Sequence, residues 1–168
     1  MTNENKRHRA GFVNIIGNPN VGKSTLMNAL VGEKLSIVTA KAQTTRHRIM
    51  GIVNGEDYQI VYSDTPGILK PNYRLQKSMM NFVDTAIGDA DIILYVTDTV
   101  EKGDKNDEYI AKLQKINCPV ILVINKIDIS SQEQVLELMN WWKEQIPNAI
   151  IFPASAQEKF NLDNIFDA

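Results

Sequence analysis

The sequence predicts an α/β fold, a six-stranded and mostly parallel sheet flanked by helices. Three observations carry that prediction. Apolar runs alternate with helical patterns along all 168 residues. Two of those runs, "DIILYVTD" (91–98) and "PVILVIN" (119–125), are almost continuously apolar, as strands covered by helices on both faces must be. Finally, "GNPNVGKS" (17–24) matches the phosphate-loop pattern G-x-x-x-x-G-K-[ST] between an expected strand and an expected helix.

"GFVNII" (11–16) reads as the first strand, with residues 22–31 as the helix behind it. "EKLSIVTAKAQTTRHR" (33–48) has no clear period and reads as a long loop. "IMGIVN" and "YQIVYSD" are strands joined at Gly55-Glu56, close enough to form an antiparallel hairpin. A loop over 66–73 leads into a helix over 75–87. Further helices fit between the two buried strands (104–115) and after them (131–145). "AIIFPAS" is the last strand, and an amphipathic helix begins at Asn161. Five of the six strands are expected to be parallel. Ala168 falls barely two turns into the last helix, which reads as a trimmed or partial chain, because so short a helix needs packing to persist.

Residues 1–10 read as a flexible basic tail and residues 11–168 as one domain, long enough to bury a real core. Hydrophobic residues make up 43% and charged residues 23%, an ordinary globular balance. Cys118 is the only cysteine, so no internal disulfide forms, which suits a reducing cytoplasm; before an apolar run it reads as a small buried side chain. No apolar run approaches the ~20 residues of a membrane-spanning helix. The basic N-terminus superficially resembles a secretory signal, but Asn14 interrupts the apolar part and a phosphate loop follows. Residues 1–48 carry eight Lys/Arg against two Glu, and the rest balances them to a net charge of −2. A basic front end fits an anionic ligand.

The chemistry gathers in four motifs. In the phosphate loop, backbone N–H groups and the helix N-terminus would cradle phosphates, while Gly17 and Gly22 let the backbone wrap closely. Lys23 would pair with the β- and γ-phosphates and Ser24 would ligate Mg²⁺. Asn18, Pro19, Asn20, Val21 and Thr25 complete the expected nucleotide contacts of this segment. "NKID" (125–128) ends a buried strand, where α/β sheets bind ligands. The Asp128 carboxylate can accept from both the ring N1–H and the exocyclic amine of guanine; adenine has no such donor pair, which disfavours an ATPase. Asn125 would hold the loop and contact the base, with the Lys126 stem over the ring. "SAQ" (Ser155, Ala156, Gln157) follows the last strand, with the Ala156 N–H placed for the guanine carbonyl oxygen.

"SDTPG" (63–67) ends the second hairpin strand. Asp64 suits Mg²⁺ through a bound water, and the Gly67 N–H suits the γ-phosphate, so that the following loop senses hydrolysis; Thr65 and Pro66 join the nucleotide set. From "TTRHR" a threonine hydroxyl would complete the Mg²⁺ shell, Thr45 in preference to Thr44. Lys23, Thr45, Asp64 and Gly67 are the expected catalytic residues.

These motifs resemble a translation-factor-type GTPase domain. "GNPNVGKSTLMNAL", "KAQTTRHRIMGI" and "DTPGI" together resemble the Era family of bacterial GTPases, from Gly11 to the end of the chain. Related TrmE and EngA proteins look more like "GTTRD" in the long loop. The resemblance implies a P-loop NTPase G domain that hydrolyses GTP to GDP slowly, with Mg²⁺, as a conformational switch in assembly of the small ribosomal subunit. Residues 39–48 and 67–74 would be the segments that rearrange. The alternatives are a nucleotide-gated rRNA or ribosome-binding module, or the G domain of a TrmE-like or EngA-like GTPase. The family adds a C-terminal KH domain that binds the small-subunit rRNA, and no "GxxG" module follows in this chain. The resemblance also implies a monomer in the cytoplasm, with peripheral association at the inner membrane.

One residue departs from the commonest GTPase pattern. Where many GTP-hydrolysing proteins carry a glutamine that orients the attacking water, this chain has Ile68. The Era group shares a hydrophobic residue there, and some relatives place K⁺ beside the phosphates through an asparagine matched here by Asn20. Backbone carbonyls near Thr39 and Lys41 would add oxygen ligands. Such a cation does the work of an arginine finger, worth ~10³–10⁵ in rate. Ile68 is thus expected to line the site rather than activate water. Arg46 reads as a mobile phosphate- or RNA-facing residue before a catalytic cation. Asp104, Asp107 and Glu108 read as a solvated helix start, and one of Trp141 and Trp142 as core. His8 and His47 have no partners at metal-ligand spacing.

Overall fold

The structure, a computed structural model, describes residues 7–32, 45–101 and 106–168. Among the described residues, six strands form one sheet in the order β2-β3-β1-β4-β5-β6: β1 (Arg9–Gly17), β2 (Ile49–Asn54), β3 (Tyr58–Asp64), β4 (Ile92–Asp98), β5 (Val120–Asn125) and β6 (Ile150–Pro153). Within that sheet only β2 and β3 pair antiparallel; β1, β3, β4, β5 and β6 are parallel. Five described helices accompany them: α1 (Lys23–Val31), α2 (Arg74–Gly88), α3 (Asp107–Lys115), α4 (Gln132–Gln145) and α5 (Leu162–Asp167).

The period-two pattern of the central strands divides the core cleanly. Ile16, Ile93, Tyr95, Leu122 and Ile124 point to one face with Met79, Met80 and Val83 of α2, Leu113 of α3 and Trp142 of α4. Their strand neighbours Ile15, Leu94, Val96, Ile121 and Val123 point to the other, against Leu26 and Met27 of α1 and Ile165 of α5. Both faces of β4 and β5 are therefore sealed, which is why those strands read as unbroken apolar runs. Trp142 is the core tryptophan, 3% exposed and 5.5 Å from the Tyr95 ring, while Trp141 packs edge-on against it. Ser131 and Gln134 form a reciprocal capping box at the start of α4.

Three details differ from the sequence expectation. β1 begins at Arg9, inside the expected 1–10 tail, because Arg9 and Ala10 pair with Tyr58 and Gln59. The Arg9 N–H also donates to the Asp57 carbonyl at 2.8 Å. Ladder bonds use backbone groups and are indifferent to polar side chains. A short 3₁₀ turn (Ile127–Ile129) follows β5. Cys118 is only half-buried, at the rim of the core. Residues 1–6, Thr39, Lys41, Thr44 and Asp104, all named in the sequence reading, lie outside the described residues.

Candidate functional site

The strand order reverses at β1, and the loops leaving the carboxyl ends of β1, β3, β4 and β5 share one edge of the sheet, where open α/β sheets bind ligands. β1 ends at Gly17 and α1 begins at Lys23, with Gly22 as an N-cap that makes no side-chain cap. The first amides of α1 are thus left for an anion. Gly22 stands at φ 97, and a Cβ there would lie 2.1 Å from Nδ2 of Asn125. Gly22→Ala is accordingly expected to break the junction between the phosphate loop and the base loop and to abolish nucleotide retention; wild-type affinity by calorimetry would refute this. Gly67 is also held close, since a Cβ would meet the Pro19 backbone nitrogen at 2.7 Å. The "DTPG" turn therefore packs directly on the phosphate loop.

Lys23 is 7% exposed and donates to the Asn18 carbonyl at 2.6 Å. Burial pushes its ammonium down to about 8, although the Asp64 and Glu101 carboxylates pull the other way. Beside it, three hard oxygens meet. The Ser24 hydroxyl donates to Asp64 Oδ2 at 2.6 Å and lies 3.2 Å from the Thr45 hydroxyl, which is 3.5 Å from the same carboxylate oxygen. These residues come from α1, β3 and the end of the long loop. Two hydroxyls and a carboxylate with no nitrogen or sulfur donor fit Mg²⁺, which takes oxygen ligands.

The guanine motif lies at the end of β5. Asn125 donates from Nδ2 to the Val21 carbonyl and accepts the Ala156 N–H at Oδ1, both at 2.9 Å. The Ala156 N–H, expected to face the guanine carbonyl oxygen, is engaged by Asn125 here, because a buried amide takes the acceptor within reach. Asn125 thus ties the phosphate loop to the "SAQ" loop. The Ser155 hydroxyl is also used internally, accepting from the Glu158 N–H at 3.1 Å. Asp128 and Gln157 are exposed and, with Gly22, Thr25, Asn125, Lys126, Ile129 and Ser155, line a cleft of about 120 Å³.

Three residues of the "DTPGI" turn are buried. Thr65 is fully buried and its hydroxyl donates to the Ile15 carbonyl at 2.7 Å, so its side chain braces β1 instead of reaching a nucleotide. Pro66 is buried beside it. Ile68 is 5% exposed, belongs to the core cluster with Met79 and Met80, and its N–H donates to the Gly17 carbonyl at 2.9 Å. Ile68→Ala is expected to lower stability by about 2–5 kcal/mol while most turnover survives; a melting curve and a turnover assay separate the two effects.

The sequence reading missed four residues. Asn106, at the start of α3, donates to the Tyr95 hydroxyl at 3.0 Å and to Oδ1 of Asn18. Asp98 accepts the Lys126 ammonium at 2.7 Å, and the Thr99 hydroxyl donates to the Lys126 carbonyl. Arg48, not the exposed Arg46, is the engaged arginine: it pairs with Asp89 at 2.7 Å and donates to the Ser63 hydroxyl at 3.0 Å. No local motif marks Asn106, whose partner lies 88 residues away.

The description "50S ribosome-binding GTPase" matches residues 12–126. A curated relative, the GTPase Era of Heliobacterium modesticaldum, is 43% identical over 95% of this chain and 54% of its own length. The chain therefore spans about half the length of the curated relatives it matches. Among solved structures, Era in complex with MgGDPNP and nucleotides 1506–1542 of 16S ribosomal RNA superimposes with a TM-score of 0.88 at 40% identity, over 96% of this chain and 56% of that one. A single-residue variant of Aquifex aeolicus Era bound to GDP·AlF4⁻ gives 0.87 at 41% identity, over 94% and 55%.

Proposed function

Because the chain belongs to the family of 50S ribosome-binding GTPases and resembles Era over its G domain, we propose that it binds GTP with Mg²⁺. It hydrolyses the nucleotide slowly to GDP and phosphate, as a conformational switch in small-subunit assembly. The single observation that carries this reading is the convergence of Ser24, Thr45 and Asp64 within 3.5 Å beside the buried ammonium of Lys23. Mg²⁺ held there would neutralise charge on the β- and γ-phosphate oxygens. Lys23 pairs with those same oxygens, the loop amides and the Gly67 N–H orient the terminal phosphoryl group, and Asp128 selects the base. No side chain at position 68 activates the water, so intrinsic turnover is slow.

The remaining parts of the reading follow from the resemblance. Asn20 would hold K⁺ beside the phosphates, and that ion would supply the positive charge that an arginine finger supplies elsewhere. The rRNA partner is the small-subunit RNA, reached through a KH domain, and the 16S fragment on the solved Era supports that choice. The protein acts as a monomer in the cytoplasm, with peripheral contact at the inner membrane. Retention of guanosine nucleotide, followed by phosphate release in K⁺ and in Na⁺, tests the whole. An empty protein refutes the nucleotide reading, and equal rates in the two salts remove K⁺.

A further inference from the structure

The end of β4, "TDT" (97–99), is assigned no part in nucleotide binding above. Asp98 is 4% exposed and pairs in register with Asn125 of the guanine motif. Its Oδ1 accepts the N–H groups of Val100 at 3.0 Å and Glu101 at 2.8 Å, which fixes the loop after β4. Its Oδ2 accepts the Lys126 ammonium at 2.7 Å, and that ammonium also donates to the Asn20 carbonyl in the phosphate loop. The Thr99 hydroxyl donates to the Lys126 carbonyl at 3.2 Å. One lysine is thus held at both ends of its residue, by Asp98 at the end of β4 and by Thr99 just after it, and tethers the loop that follows β1.

The backbone supports the same conclusion. Lys126 and Asn20 both stand in the left-handed region, at φ 63 and φ 64. Non-glycine residues keep that conformation where their surroundings over-determine it. With its ammonium fixed between Asp98 and Asn20, Lys126 lines the same cleft as Gly22, Thr25 and Asp128. Without Asp98 the side chain would regain its rotamers, and the two loops would lose one of their two anchors, the other being the Asn125 bond to the Val21 carbonyl.

We propose that Asp98, assisted by Thr99, is a positioning residue that acts through Lys126 to lock the base-reading loop onto the phosphate loop and so slows release of a bound guanine nucleotide. The inference rests on the guanine-nucleotide reading above. Asp98→Asn tests it cleanly, since an amide oxygen still accepts from Val100 and Glu101 while the charge facing Lys126 is gone.

The experiment follows release of fluorescent GDP from the wild type, Asp98→Asn, Lys126→Met and the double variant. Each single variant is expected to release GDP about tenfold faster, as loss of one partner of a partly buried charge pair acts on dissociation. The double variant should be no faster than Lys126→Met alone, because both changes remove one interaction. A merely structural role for Asp98 would instead give effects that multiply, and that result overturns the proposal, as does release from Asp98→Asn within twofold of wild type. Should Asp98→Asn fail to fold, Thr99→Val carries the test: faster release supports the proposal and unchanged release overturns it. A wild type that retains no GDP is a different failure, and it takes down the nucleotide reading with the inference.

Discussion

Lys23→Ala is expected to weaken guanosine triphosphate binding by about 10²–10⁴-fold, the consequence of removing one partner from a buried charge pair at about 3–5 kcal/mol. The lysine is enclosed at the start of α1 and already oriented by the Asn18 carbonyl at 2.6 Å. The neighbouring cation, Lys126, is committed to Asp98 and Asn20 and does not replace it. Calorimetry with a non-hydrolysable analogue reads the loss directly, and a variant that binds like wild type would remove Lys23 from the phosphate site.

The same residue predicts a pH dependence whose sign is determined by burial. In the nucleotide-free protein the ammonium titrates at about 8, lowered by desolvation. A bound polyphosphate favours the charged form, so the value rises in the complex and binding takes up a proton wherever Lys23 was neutral. Affinity should hold below pH 8 and fall as pH rises through 8, approaching tenfold per pH unit. Lys23→Met should show no such slope. A flat wild-type profile between pH 7 and 9 would contradict the assignment.

The second large effect concerns the base. Asp128→Asn is expected to move preference from guanosine to xanthosine triphosphate, with GTP weakened by about 10²–10³-fold. A carboxylate accepts from the N1–H and exocyclic amine of guanine, whereas an amide can donate to the carbonyl that xanthine carries in place of that amine. Asp128 is exposed at the mouth of its cleft, held by the 3₁₀ turn Ile127–Ile129, so the substitution changes recognition without opening the core. Competition between the two triphosphates is the measurement, and unchanged selectivity would take guanine readout away from Asp128.

Much of this architecture was legible because its signals are local. Alternation along β4 and β5 assigns each residue to one face, and two sealed faces demand unbroken apolar runs. The phosphate loop, "NKID" and "DTPG" are short enough for spacing alone to mark them, and their order named the site. The Thr45 hydroxyl, expected to complete the Mg²⁺ shell, lies 3.2 Å from that of Ser24.

Other features depended on partners that no local pattern announces. Ala156 and Thr65 looked available to a ligand, but each is satisfied by a group brought near only by folding, Asn125 Oδ1 and the Ile15 carbonyl. Asp98 and Asn106 carry no motif, yet they hold Lys126 and Asn18 from 28 and 88 residues away. Residue order thus determined periodicity, the motifs and therefore the fold and the place of the site. Which donors remain for a nucleotide was decided only by tertiary structure, because a buried polar group must bond whatever the folded chain sets beside it, and that neighbour is seldom close in sequence.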